Sequence, residues 1–107
     1  MNTANLLSAV AATGAGSSVL ASPWNSNHAM QITITGAPTA VTVDLEGSLD
    51  GTTWVALVSH VMSAGELAAS KALVFVTGAP VPMVRGNLTT LTGGTTPTVT
   101  VKYGQEA

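Results

Sequence analysis

The stretch VTVDLEGSLDGTTWVALV, residues 41–58, decides the fold class. Val41, Val43 and Leu45 alternate with Thr42, Asp44 and Glu46, the two-residue period of a strand with one face buried. The following Ser-Leu-Asp-Gly-Thr-Thr, 48–53, is turn chemistry. An Asp accepts hydrogen bonds from its own downstream backbone, and a Gly takes positive φ without strain. Trp54 then opens a second strand. The stretch is a β-hairpin, and Val43, Leu45 and Trp54 are expected in the core.

The same period recurs outward from the hairpin. Met30, Ile32 and Ile34 alternate with Gln31, Thr33 and Thr35, and Val99, Val101 and Tyr103 alternate with Thr98, Thr100 and Lys102. Two runs, 54–58 and ALVFV at 72–76, are apolar on both faces. Such runs suit central strands or strands whose outer face meets a neighbour, and Phe75 is expected in the core. A further strand over 83–91 is expected to bend at Gly86 and to pair with 98–103 across TGGTTP as a closing hairpin. Ser63 and Glu66 have capping-box spacing, which leaves a short helix over 66–72 or a loop across one end. No long 3.6-residue period appears. The pattern predicts an all-β, single-domain β-sandwich, jelly-roll-like, of about seven or eight strands. Residues 1–20 form an N-terminal arm or edge strand, and 21–107 form the sandwich.

Composition narrows the function classes. With 107 residues and no cysteine, one core folds without disulfides or thiolate metal sites. Charged residues make up 7% of the chain, against about 25% in an average soluble domain. Three basic and five acidic residues give a net charge of −2. No basic footprint for nucleic acid or anionic lipid exists. No apolar stretch approaches the roughly 18 residues that would span a bilayer. The first basic residue is Lys71, so no secretion signal is expected and the chain is expected to stay in the cytoplasm unless it leaves within a particle. Sixteen Thr residues take the place of charge. Such a surface is either simply neutral or covered by other copies or a partner, and the 46% apolar content favours the second.

Candidate chemistry is sparse. Asp44 and Glu46 share one strand face with Asp50 in the turn nearby, but the spacing matches no calcium loop and no cleft opposes the carboxylates. His28 and His60 lie far apart without Cys or HxxxH spacing, and both are expected on the surface or in turns; a metal would need ligands from a second subunit. No GxSxG elbow and no GxxxxGK loop occurs, and Gly14-Ala-Gly16-Ser-Ser is a turn. No catalytic, cofactor-binding or metal-ligating residue is assigned. The single Arg85 and Trp24, in the loop SPWNSNH, are the expected contact residues, since Arg and Trp anchor interfaces. Leu6, Leu7 and Val10 join them from the arm.

Taken together, LEGSLDGTTWVAL at 45–57 and PMVRGNLTTLTGGTTPTVTVKYG at 82–104 resemble small accessory structural proteins of tailed bacteriophage virions. The likeness runs from about Met30 to Tyr103 and rests on the S-x-D-G-x-x-W turn, a strand with one Arg and a Thr/Val-rich close. It implies a β-sandwich that decorates the capsid as a cement protein, or belongs to the neck or tail. It further implies many copies, with a homotrimer first among oligomers, the major capsid protein or other virion proteins as partners, no cofactor and no catalysis. Location at the capsid surface after assembly in the host cytoplasm follows. The same turn occurs in discoidin-like jelly rolls, which leaves a carbohydrate-binding module, with Trp24 or the Asp50 turn at its site, as the alternative.

Overall fold

The computed structural model describes residues 2–20 and 27–105. Among the described residues, nine strands and one short helix follow one another: β1 (Asn2–Val10), β2 (Gly14–Ala15), β3 (Val19–Leu20), β4 (His28–Thr35), β5 (Ala40–Ser48), β6 (Val55–Val61), α1 (Ala64–Ala69), β7 (Lys71–Val76), β8 (Met83–Thr92) and β9 (Thr98–Gln105). They build two antiparallel sheets. One has the order β1-β9-β4-β7; the other runs β2-β8-β5-β6, with β3 also on β8. The pairs β1–β9, β2/β3–β8, β4–β7 and β5–β6 nest like one long folded hairpin. Rolling that hairpin sets β9 beside β4 and β8 beside β5, which is the jelly-roll arrangement. The chain is a β-sandwich.

The core lies between the sheets and is made by alternate residues. Met30, Ile32 and Ile34 face it from β4, Val41, Val43 and Leu45 from β5, and Val99, Val101 and Tyr103 from β9. Their neighbours in sequence face outward, as the two-residue period requires. The 41–58 hairpin forms as read, with β5 paired to β6. A bulge between Leu45 and Glu46 disturbs its register.

β1 departs from simple alternation. Asn5 pairs Lys102 and Leu7 pairs Val101, so Leu6 is an extra residue in a bulge. The bulge lets two consecutive leucines point inward, and each is 3% exposed. Leu6 lies over Gly86, whose missing Cβ leaves the room: a Cβ there would stand 3.1 Å from Leu6 Cβ. Leu6 and Leu7 are therefore core residues of this chain, not contacts on its surface. Val10 packs against the same core. Residues 2–10 form a strand integrated into the first sheet.

Three further expectations change. The segments 83–92 and 98–105 do not form a hairpin, because β8 belongs to one sheet and β9 to the other. Each has two better partners there, and the intervening loop crosses the end of the sandwich. Thr95 N–H donates to Gly36 O at 2.8 Å, pinning that loop to the β4–β5 turn. Gly94, at φ +76, is obligatory, since a Cβ would collide with the same Gly36 carbonyl. Register runs through Gly86 without a break; the irregularity in β8 falls where Thr42 and Val43 meet Thr90 and Leu88. Phe75 is 68% exposed, because β7 pairs β4 with Ala72 and Val74 opposite the inward Ile32 and Met30. That register turns Leu73 and Phe75 out.

The helix starts two residues earlier than expected. Ser63 is its N-cap and forms the full capping box with Glu66; Ser70, in the left-handed region, ends it. Replacing Leu6 by Ala is expected to destabilise the chain by about 2–5 kcal/mol, like Leu45→Ala. Urea denaturation followed by circular dichroism checks this, and an unchanged midpoint for Leu6→Ala would show that Leu6 is not part of the core.

Candidate interaction surface

Few polar groups in this molecule are left to do chemistry, because most are engaged in holding local structure. In the 48–53 turn, Asp50 Oδ1 accepts from the backbone N–H of Thr52 and of Thr53, both at 2.8 Å, and from Ser48 Oγ at 3.0 Å. Those bonds hold its carboxyl far below the ordinary value of 3.8. Gly51, at φ +81, completes the turn. Asp50 is thus a structural turn residue, as its sequence context indicated.

Glu46 and Arg85 face each other across β5 and β8 on the outer side of the second sheet. Arg85 Nε donates to Glu46 Oε1 at 2.6 Å, and Asn87 Nδ2 donates to Glu46 Oε2 at 3.3 Å. The guanidinium carbon sits 4.5 Å from the centre of the Trp54 ring. Trp54 is half-buried on this outer face rather than in the core. The Arg85 partner is therefore within the chain, an ion pair reinforced by a cation–π contact. Asp44, on the same face, keeps an enclosed Oδ1 with no hydrogen-bond partner, and nothing in the structure explains it. Among the described residues no group of three or more His, Cys, Asp or Glu could hold a metal ion.

The two histidines have separate tasks. His60 Nε2 and Ser63 N–H both meet Glu66 Oε1 at 2.9 Å, linking β6 to the helix cap. The Ser63 amide, then the His60 contact, hold the Glu66 carboxyl below its ordinary range. His28 is buried, at 2% exposure, where a turn or surface position was expected. Its ring stacks on Tyr103 with centroids 5.7 Å apart. Nε2 lies 2.7 Å from Ala79 O, which only accepts, so Nε2 carries the proton and Nδ1 accepts from the Tyr103 hydroxyl. His28 thereby ties the loop after β7 to the end of the core. The signal for burial was its in-phase position two residues before Met30 on β4.

What remains open to partners is mostly apolar or hydroxylated surface, with Gln31, Lys71 and Lys102 exposed as well. Leu20, Leu49, Val55, Val61, Leu73 and Phe75 are all more than half exposed. On the outer face of the first sheet, a groove of about 380 Å³ runs past Ala29, Gln31, Leu73, Phe75 and Lys102. A second, of about 400 Å³, lies beside the turn between Leu49, Asp50, Val55, Leu57 and Val81. Both are open and shallow in polar groups, unlike a site with convergent donors. Trp24, an expected contact, lies outside the described residues. No helix among the described residues is long and apolar enough to cross a membrane.

Two measurements check this geometry. A double-mutant cycle with Arg85→Ala and Glu46→Ala should give a coupling of about 1 kcal/mol, as for a partly exposed pair; zero coupling would mean that the pair does not stabilise the fold. Burial pushes the Tyr103 hydroxyl from 10.0 up to about 12. The folded chain then keeps a proton that the unfolded chain releases, so this contribution is complete below pH 10 and is lost as pH rises toward 12. Tyr103→Phe should flatten that alkaline limb and, by leaving His28 Nδ1 unpaired, cost about 1–3 kcal/mol near neutrality. Urea titrations across this pH range provide the readout.

No protein-family model and no curated protein sequence matches the chain. Among solved structures, the fold is similar to that of the SPBc2 prophage-derived protein YomS. The TM-score is 0.59 at 15% sequence identity, over 95% of this chain and 88% of that one. The likeness is one of fold.

Proposed function

We propose that this chain is a structural protein of a tailed-phage virion, a capsid decoration protein that binds the assembled shell and stabilises it. The observation that carries the proposal is its surface: six large apolar side chains stand exposed among the described residues of a chain with only three basic and five acidic residues. A lone soluble monomer is normally more charged and less apolar outside. A fold similar to that of a prophage-derived protein supports the phage setting. Charges consumed in the turn, the cap and the Arg85–Glu46 pair leave hydroxyls, apolar side chains and backbone edges for contact. The mechanism is mechanical. Many weak, neutral contacts with shell subunits add by avidity, and no bond is made or broken.

The carbohydrate-binding alternative has less to build on. Of its two expected anchors, the Asp50 carboxylate is engaged by its own turn, and Trp24 lies outside the described residues. The decisive experiment is quantitative mass spectrometry of gradient-purified virions from the phage that encodes the chain. Copy numbers comparable to the major capsid protein are expected, together with genome release at a lower temperature from particles lacking the chain. Absence from virions would overturn the proposal, and a copy number matching tail components would move the protein to the neck or tail.

A further inference from the structure

Among the described residues, the two sheets have four edges, and three of them are broken up. β1 carries two register irregularities, between Asn5 and Leu7 and between Leu7 and Val10, and Ala9 within it has φ 49. The opposite edge of the second sheet is split into β2 and β3, two residues each. β6 is bulged against β5. Short strands and bulges are the usual means of keeping an edge from pairing with another chain. β7 has neither. It runs Lys71–Val76 in unbroken register with β4. It contains no Gly or Pro, and it carries Leu73 and Phe75 outward at 56% and 68% exposure.

The β7 sequence also matches itself. About Val74, Leu73 stands opposite Phe75, and Ala72 opposite Val76, when a second β7 is laid antiparallel. This alignment keeps outward residues with outward residues and inward with inward; a slip of one residue would oppose the two faces. It also pairs residues of the same parity. The alternate N–H and C=O groups that an edge strand leaves free therefore meet their counterparts on the other copy. The strand's one charge, Lys71, falls beyond the five paired residues, opposite Thr77, so no like charges are opposed. A heterologous partner would gain no charge recognition from this edge.

We propose that β7 pairs with β7 of a second copy across a two-fold axis at Val74, joining two four-stranded sheets into one of eight. The cross-strand Leu73–Phe75 contacts, made twice, are aliphatic–aromatic pairs of the kind that stabilise sheets. The assembly closes as a dimer, because the far edge of each first sheet is the bulged β1. It replaces the three-fold grouping that the sequence resemblance implied. It does not depend on the virion assignment, and a dimer is equally compatible with another role.

Sedimentation velocity of the purified chain tests it. A species of twice 10.7 kDa is expected at high concentration. L73K/F75K places like charges opposite each other at two exposed positions and should weaken the dimer by about tenfold. L73E/F75K puts opposite charges in the same places and should keep it. Circular dichroism melts of both variants establish that the monomer still folds. A monomer at high concentration, a three-chain mass, or equal association of the two variants would overturn the proposal. Failure here leaves the virion copy number unaffected, so the two proposals fail separately.

Discussion

The pairing of the first strand with the last is the constraint on which the sandwich depends. β1 and β9 come from opposite ends of the chain, and Ala9 N–H donates to Thr100 Oγ1 at 3.0 Å across that distance in sequence. Without β1 the first sheet would end at β9, and the inner surface around Gly86, Leu88 and Val101 would lose the cover that Leu6 and Leu7 provide. The bulge at Leu6 makes this cover possible, since regular alternation would send one of the two leucines to solvent. Contacts of such long range are formed late and at high entropic cost, so the fold is expected to appear only when both termini are in place.

The legible part of the fold was the part governed by the two-residue period. Met30–Ile34, Val41–Leu45 and Val99–Tyr103 alternate cleanly, and their inward residues are those buried in the structure. The Asp50–Gly51 turn and the Ser63 cap were legible because each is a local arrangement made by residues two or three apart. The unread features are all non-local. ALVFV is apolar at every position, so its parity is set by pairing with β4 and not by its own sequence. The β8–β9 connection has a hairpin's composition, and only competition with β5, β2 and β4 sends the two strands to different sheets. A bulge such as that at Leu6 has no sequence signature at all. The candidate surface was less legible than the core. Arg85 was singled out, but its partners Glu46 and Trp54 are brought to it by register across three strands.

Electrostatics explain why the surface is left as it is. Of the five carboxylates, Asp50 is engaged by its turn, Glu66 by the helix cap and His60, and Glu46 by Arg85 and Asn87. Each interaction is short-range and internal. Little long-range field remains to steer partners or to repel identical copies, so any association of this chain should vary weakly with salt. Specificity in that situation has to come from shape, from backbone hydrogen bonds and from the register of side chains along a strand.

That consequence returns to the alternation of the strands. A residue on the outer face of a sandwich is free of the core's demand for apolar side chains, and on β4 and β9 most outer positions are polar: Gln31, Thr33, Thr35, Thr98, Thr100 and Lys102. Leu73 and Phe75 break this pattern on an edge strand where the core does not need them. Exposing them costs roughly the transfer free energy of two large side chains, about 1.5–3 kcal/mol each. The core gains nothing from the two side chains at these outward positions. Contacts outside the chain would recover that cost, and the regular backbone beneath the two side chains would offer such contacts main-chain hydrogen bonds.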